Sequence, residues 1–264
     1  MVSRKFNMKK LLFLLSSLLF AGESMATIKT ENIDYSSNGT MMQGYLAYDD
    51  AKKGPRPGIL IVHDWMGLGS FTKEKAEKLA KEGYVAFAVD IYGKGIRPKD
   101  QKEAAEFANQ YKNDRPLLRK HIRAAYDKLV GMKEVNPNKI LVMGYCFGGT
   151  TALELARSGV PLVGTVSFHG GLSTPTPEDA KNIKGRVLVM HGADDPNVPP
   201  AEVEAFKDEM KKANVNMKFI AYPGAVHGFT NKEAGNDNSK GVAYNAEADR
   251  KSWEEFEKFL KEVF

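Results

Sequence analysis

The sequence predicts a single α/β domain with a mostly parallel central sheet and helices on both faces. Short apolar runs alternate with longer segments of helical periodicity from residue 27 to the end. Some of these runs, such as Gly58–Val62, contain no polar residue, which is typical of parallel strands buried on both faces. A length of 264 residues is enough for one large core. We therefore expect residues 27–264 to form one domain.

The predicted elements follow one another without repeats or long linkers. An antiparallel pair opens the domain at 28–35 and 41–48, around the turn sequence Ser36-Ser37-Asn38-Gly39. A turn at 52–57 follows it. Further apolar runs predict strands at 58–62, 84–89, 139–143, 162–168, 186–190 and 217–222. Helices are predicted at 71–82, 101–110, 116–130, 148–157, 200–213 and 247–263, with a loop at 90–100.

Residues 1–26 have the pattern of a secretory signal peptide. Basic residues open the segment, an apolar run occupies 11–21, and Ser24-Met25-Ala26 is a small-x-small cleavage sequence. The run is too short for a typical membrane span, although an uncleaved anchor is the alternative. Translation could start at Met1 or at Met8. We expect a protein exported to the periplasm or secreted, without stable membrane insertion after cleavage.

Charge and cysteine content narrow the function classes. The net charge of +5 falls to +2 when residues 1–26, with four basic residues and Glu23, are removed. No basic patch remains that would indicate a nucleic-acid partner. The chain has one cysteine, so an internal disulfide is excluded. An unpaired thiol in an exported protein is usually avoided or reactive.

That cysteine, Cys146, lies in the sequence Met143-Gly144-Tyr145-Cys146-Phe147-Gly148-Gly149. A predicted strand precedes it and a predicted helix follows. Glycines two residues before and after a nucleophile, at a sharp strand-to-helix turn, are typical of the nucleophile elbow of α/β-hydrolases. A lone cysteine is otherwise more often a small buried apolar residue. The glycines favour a nucleophilic thiol.

A thiol nucleophile needs a base, and the base needs an acid that orients it. In α/β-hydrolases the acid and then the histidine follow the nucleophile along the chain. His227 comes just after the last predicted strand and is the predicted base. Asp195 fits the loop spacing G-x-x-D-x-x-V better than Asp194, which we expect to be a turn or cap carboxylate. The predicted oxyanion donors are the backbone N–H groups of Phe147 and Trp65.

The ordered motifs of the chain resemble the dienelactone hydrolase family over nearly its whole mature length. The matching segments are His63-Asp64-Trp65-Met66-Gly67-Leu68, Asp90-Ile91-Tyr92-Gly93, Gly144-Tyr145-Cys146-Phe147-Gly148-Gly149, Gly192-Ala193-Asp194-Asp195 and His227-Gly228-Phe229. The cysteine elbow is specific, whereas the aspartate and histidine loops are shared by many α/β-hydrolases. The resemblance implies an α/β-hydrolase fold and a Cys-His-Asp triad that hydrolyses lactones or activated carboxylic esters through an acyl-thioester.

The same resemblance identifies positions where this sequence departs from the family. A glutamate that holds the resting thiol in well-studied members is matched by the shorter Asp64, a candidate thiol gate. Two arginines that bind the carboxylate of dienelactone are matched by Lys94 and Asn231. Lys94 keeps the charge but not the bidentate fork, and Asn231 loses the charge. We therefore do not expect dienelactone to be the natural substrate. Lys94, Tyr92 and Phe229 are candidate substrate-binding residues.

The predicted function is hydrolysis of a small-molecule ester or lactone without a metal or organic cofactor. A metal site at His191, Asp194 and Asp195 has little support, because no ligand spacing favours it. The alternatives are an exported ligand-binding protein without turnover and a thiol-based sensor. A sensor would lack a second cysteine as resolving partner. The oligomeric state is open, with a monomer favoured.

Overall fold

The computed structural model describes residues 27–264, so the predicted signal peptide lies outside the described residues. The strands are β1 (Ile28–Ser37), β2 (Thr40–Asp49), β3 (Arg56–Val62), β4 (Val85–Val89), β5 (Val135–Tyr145), β6 (Gly164–Phe168), β7 (Arg186–Gly192) and β8 (Met217–Tyr222). The helices are α1 (Ser70–Lys81), α2 (Gln101–Asn113), α3 (Arg115–Val130), α4 (Phe147–Arg157), α5 (Pro200–Lys212) and α6 (Ala246–Val263). In addition, Pro177–Asn182, Lys232–Ala234 and Asn238–Lys240 form short 3₁₀ helices.

The eight strands form one sheet in the order β1-β2-β4-β3-β5-β6-β7-β8. β2 is antiparallel to β1 and β4, whereas all the other neighbouring strands in the sheet, from β4 to β8 in the spatial order, are parallel. The predicted mostly parallel sheet with an antiparallel opening pair is therefore confirmed. The parallel strands all end at one edge, where the loops that follow them meet.

Alternate residues of the central strand β3 enter two different core clusters. Leu60 and Val62 pack with residues of α3 and α4 on one face of the sheet. Ile59 and Ile61 pack with residues of α1 and α6 on the other face. This alternation explains why the strand needs a fully apolar sequence, since both of its faces are buried. Within residues 27–264, no helix is both long and apolar enough to cross a membrane.

Two strands are longer at their N-terminal ends than the sequence predicts. β5 begins at Val135 rather than at 139, and β3 begins at Arg56, inside the predicted turn. Arg56 pairs with Val135 across a register shift that separates them from the regular ladder. The extension contains Pro137, which argues against a strand interior in the sequence alone. Pro137 lies between the paired residues Val135 and Ile140, where the register with β3 shifts, and proline is tolerated at such an irregularity.

A buried ion network fixes α4, the helix that follows Cys146. The guanidinium of Arg157 is fully buried and donates to Glu154 on α4 and to Glu209 on α5. Arg119 of α3 donates to the second oxygen of Glu154 at 2.8 Å. Because each buried charge has an oppositely charged partner, α4 is tied to the helices on both sides.

Candidate active site

The residues predicted to form the site lie in loops at the carboxyl edge of the parallel sheet. Cys146 follows β5, Asp195 follows β7, and His227 follows β8. The loop that contains Trp65 follows β3. Ligand sites of open α/β sheets form at this edge, because the strand ends bring distant parts of the chain together.

Cys146 occupies a strained turn between β5 and α4. Its φ is 53° and its ψ is −115°, a conformation that non-glycine residues rarely adopt. The turn is held by hydrogen bonds from Cys146 N–H to Phe168 O at 3.0 Å and from Gly149 N–H to Cys146 O at 2.9 Å. A Cβ on Gly144 would lie 2.1 Å from Gly148 O, and one on Gly148 would lie 2.3 Å from Val62 O. Both glycines are therefore required by close backbone contacts.

The thiol, the imidazole and one carboxylate form a continuous hydrogen-bonded chain. Cys146 Sγ lies 2.9 Å from His227 Nε2, and His227 Nδ1 lies 2.8 Å from Asp195 Oδ2. The second oxygen of Asp195 accepts a hydrogen bond from Asn197 N–H at 2.8 Å. Asp195 is buried, whereas Asp194 is exposed and accepts from Gly224 N–H at 3.1 Å. Of the two neighbouring aspartates, Asp195 is the one that contacts the imidazole.

The electrostatics of this chain favour a charged pair. Burial alone raises the pKa of Cys146, but the charge and hydrogen bond of His227 outweigh burial and lower it. Burial lowers the pKa of His227, but Cys146 and Asp195 together raise it well above its usual range. Between these two pKa values the resting state is a thiolate beside an imidazolium. The start of α4 adds to this effect, since a helix N-terminus stabilises an anion.

Cys146 occupies the N-cap position of α4, the position from which side chains cap α2, α3 and α6. Asp100, Asp114 and Asn245 accept hydrogen bonds from the first turns of α2, α3 and α6. Cys146 is the residue before α4 and makes no such bond with its side chain. The first N–H groups of α4 therefore remain available beside the sulfur.

The two residues with the predicted oxyanion donors, Phe147 and Trp65, line the same cleft as Cys146. Phe147 begins α4, and no hydrogen bond of the described residues uses its N–H or that of Trp65. The loop that carries Trp65 is held by His63, which bonds to Asp64 O through Nδ1 and accepts from Ile91 N–H through Nε2. Burial lowers the pKa of His63 to about 4, so the ring is neutral near pH 7. A neutral ring can donate through Nδ1 to Asp64 O and accept through Nε2 from Ile91 N–H, as these two hydrogen bonds require.

Asp64 does not hold the thiol in this structure. Its carboxylate accepts a hydrogen bond from Met66 N–H at 2.8 Å, and Cys146 pairs with His227 instead. Burial raises the pKa of Asp64, and its negative charge opposes ionisation of the thiol. The gating role of Asp64 stays a prediction.

Three residues predicted to contact substrate do not line the cleft that contains Cys146. Tyr92 is buried, and its hydroxyl donates to Trp65 O at 3.0 Å. Phe229 is fully buried and packs against His169 and Tyr222. Lys94 is exposed and forms an ion pair with Asp34 of β1 at 2.5 Å. The two rings are packed and the ammonium group has a partner, so contact of these residues with substrate stays a prediction.

The cleft that contains Cys146 and His227 has a volume of about 240 Å³. Part of its wall comes from α2, which is not among the elements predicted to form the site. The lining residues are Trp65, Ala105, Ala108, Asn109, Lys112, Cys146, Phe147, Gly171, Asn197, Val198, His227 and Val242. No motif in the sequence indicates that α2 covers the nucleophile, since this depends on how the helix packs.

The sequence also does not predict that His169 lies beside His227. Its Nε2 lies 2.8 Å from Thr230 Oγ1, and its ring centroid lies 5.4 Å from that of His227. Burial and the neighbouring His227 charge lower its pKa well below the usual range. His169 is therefore a neutral ring packed against the imidazole of His227.

Within the described part of the chain, no group of three or more His, Cys, Asp or Glu side chains could hold a metal ion.

The family model and the named relatives that match this chain agree on one family. The model of the dienelactone hydrolase family matches residues 42–264. A protein of Synechocystis sp. named "Putative carboxymethylenebutenolidase" is 27% identical over 90% of this chain and 96% of its own length. A protein of the same name from Saccharolobus solfataricus is 28% identical over 88% of this chain and 98% of its own length.

Solved structures agree with the sequence relatives. The structure titled "m3DLH" has a TM-score of 0.86 and 38% identity, and the match covers 90% of this chain and 99% of that one. The dienelactone hydrolase-like promiscuous phosphotriesterase P91 from metagenomic libraries has a TM-score of 0.85 and 36% identity, with the same coverage. With the family match over most of its length, this chain belongs to the dienelactone hydrolase family and is a hydrolase with the α/β-hydrolase fold.

Proposed function

We propose that the protein hydrolyses lactones or short, activated carboxylic esters through an acyl-thioester on Cys146. The observation that carries this proposal is the chain of contacts Cys146 Sγ to His227 Nε2 at 2.9 Å and His227 Nδ1 to Asp195 Oδ2 at 2.8 Å. A nucleophile, a base and an orienting acid at these distances are the elements that acyl transfer needs.

Acylation follows from the charged resting pair. The thiolate of Cys146 attacks the ester carbonyl and forms a C–S bond, while the carbonyl electron pair moves to oxygen. The N–H groups of Phe147 and Trp65 stabilise this oxyanion, each by about 3–4 kcal/mol in the transition state. The C–O bond then breaks, and the imidazolium of His227 donates its proton to the leaving alcohol oxygen.

Deacylation reuses the same imidazole. His227 is now neutral and accepts a proton from water, which attacks the thioester carbonyl. The second oxyanion collapses, the C–S bond breaks, and the thiolate is restored beside the imidazolium. Asp195 keeps Nδ1 protonated throughout, so Nε2 faces the reacting atoms in both steps.

The cleft and its surroundings support small substrates other than dienelactone. A volume of about 240 Å³, with walls that include Trp65, Phe147 and Val198, suits a short acyl group. Lys94 and Asn231, which match the family's carboxylate-binding arginines, are engaged elsewhere. Lys94 pairs with Asp34, and Asn231 Oδ1 accepts from Glu233 N–H at 2.9 Å.

An activity screen tests this function. Residues 27–264 and their Cys146→Ala variant should be compared on p-nitrophenyl acetate, p-nitrophenyl butyrate and a set of five- and six-membered lactones. We expect turnover of at least one class by the unchanged protein and a loss of about 10⁴-fold or more in the variant, because no other thiol can replace the nucleophile. A protein that hydrolyses none of these while Cys146 still reacts with iodoacetamide would favour ligand binding or sensing. Hydrolysis that survives in Cys146→Ala would contradict the proposed nucleophile.

A further inference from the structure

Lys112, in the last turn of α2, is an exposed cation at the wall of the cleft that contains Cys146. None of the ion pairs among the described residues includes it. The positive charge of Lys112 acts on the nucleophile, because it contributes to lowering the pKa of Cys146. An unpaired cation close to a reacting thiolate is available to a negatively charged ligand.

The same lysine also lines a second, more open groove. This groove has a volume of about 550 Å³ and is bordered by Arg115 of α3 and by the polar side chains of Asn109, Asn113 and Ser173. Asn109 and Lys112 line both cavities, so the groove continues the cleft away from Cys146. A substrate with its carbonyl at Cys146 could extend past Lys112 into the groove.

Arg115 gives this groove a second positive charge. Its side chain is 8% exposed, and Nη2 donates to Ser173 O at 3.2 Å. Nε and Nη1 are buried and have no hydrogen-bond partner in the structure. The carboxylate with the largest effect on its pKa, Glu154, is already shared by Arg119 and Arg157. A buried guanidinium without a full set of acceptors is incompletely compensated.

No aspartate or glutamate lines either the cleft or the groove. The polar cavity on the other side of the Trp65 loop differs, because acidic and basic side chains alternate there. Its charged lining residues are Asp64, Glu74, Lys75, Lys232, Glu233 and Asp249. Of these cavities, the cleft and the groove beside α2 and α3 are therefore lined by basic but not by acidic side chains.

We propose that Lys112, supported by Arg115, forms a subsite for the carboxylate of an acidic ester, held at the end of the substrate remote from the scissile carbonyl. The proposal rests on the function proposed above and adds its substrate class. The subsite uses different elements from Lys94 and Asn231, the positions that match the family's arginines. A carboxylate bound by Lys112 lies in the groove, whereas a carboxylate bound by Lys94 would lie beside Asp34 of β1.

Matched ester pairs test the subsite. The mono-p-nitrophenyl ester of glutaric acid carries a carboxylate on the acyl side, and p-nitrophenyl pentanoate is its uncharged equivalent. In a second pair, 4-acetoxybenzoate carries the carboxylate on the leaving group, and phenyl acetate does not. We expect the ratio of kcat/KM for acidic over neutral ester to fall about five- to tenfold in Lys112→Gln for at least one pair. The pair that responds identifies which end of the substrate enters the groove.

Lys102 provides the control, because it is an exposed lysine of the same helix that lines neither cavity. The ratio should be unchanged in Lys102→Gln. It should also decrease with added salt in the unchanged protein, since salt screens the attraction of the exposed ammonium. Equal ratios in the unchanged protein and Lys112→Gln for both pairs would overturn the subsite, while Cys146-dependent hydrolysis would still support the proposed function.

A second measurement does not depend on turnover. Iodoacetate is anionic and iodoacetamide is neutral, and both alkylate a thiolate. The rate ratio of iodoacetate over iodoacetamide at Cys146 should fall severalfold in Lys112→Gln and stay constant in Lys102→Gln. A constant ratio in both variants would contradict the subsite even if no ester tested were hydrolysed, whereas absent hydrolysis by itself would contradict only the proposed function.

Discussion

His227→Gln is expected to reduce kcat/KM for a neutral ester such as p-nitrophenyl acetate by about 10⁴-fold. Glutamine cannot accept a proton from water or donate one to the leaving alcohol, so both chemical steps lose their proton carrier. Steady-state kinetics with matched protein concentrations measures the loss. Turnover within about tenfold of the unchanged protein would contradict the assignment of His227 as base.

The same variant has a second readout, the pH dependence of Cys146 alkylation by iodoacetamide. In the unchanged protein the lowered pKa of Cys146 keeps the thiolate present below pH 8.5, the usual thiol pKa, and alkylation slows only as pH falls through the lowered value. Without the imidazolium, burial dominates and the pKa rises, so alkylation at pH 6 should fall at least tenfold. His191→Gln is a suitable control, because His191 lies near the end of β7 but lines no part of the cleft. Its profile should remain near that of the unchanged protein.

Asp195→Ala is expected to lower kcat by about 100- to 1000-fold, whereas Asp194→Ala should change it less than tenfold. The carboxylate of Asp195 is buried, holds His227 Nδ1 at 2.8 Å, and supports the imidazolium charge. Asp194 is exposed, and its carboxylate accepts a hydrogen bond from the N–H of Gly224, which lies in a turn. Asp195→Asn should lose less than Asp195→Ala, because an amide oxygen still orients the ring but no longer compensates its charge.

The paired variants also control for stability. Loss of the Asp195 contact to Asn197 N–H could loosen the loop, so thermal unfolding of each variant should be recorded beside its kinetics. A larger kinetic loss for Asp194→Ala, in a protein that unfolds at the same temperature, would reverse the assignment of the acid.

The parts of the site that the sequence predicts are those fixed by local backbone geometry. The glycines around Cys146 indicate a tight turn, and the structure has it, with φ of 53° at Cys146 and backbone contacts that exclude a Cβ at Gly144 and Gly148. The order of motifs after parallel strands also brings Asp195 and His227 to the edge where Cys146 lies. Chain order and strand ends suffice for this, because parallel strands terminate at one edge.

The parts that the sequence does not predict depend on packing between distant segments. Tyr92 and Phe229 occur in family motifs near the site, but their rings face the core rather than the cleft. Lys94 forms an ion pair with Asp34, which is 60 residues earlier and lies on the antiparallel strand β1, outside the parallel part of the sheet. Lys112 reaches the nucleophile only because α2 packs over the cleft. None of these contacts leaves a spacing pattern along the chain.

The central claim, an acyl group carried by the sulfur of Cys146, is tested most directly by trapping that intermediate. The protein should be mixed with p-nitrophenyl acetate, quenched in acid within the first turnovers, digested, and examined by mass spectrometry of the peptide that contains Cys146. The account predicts acetyl attached to Cys146 at early times, removed by neutral hydroxylamine as a thioester is. Rapid ester hydrolysis with unmodified Cys146 at every time point, or acetyl on another residue that turns over at the catalytic rate, would contradict it.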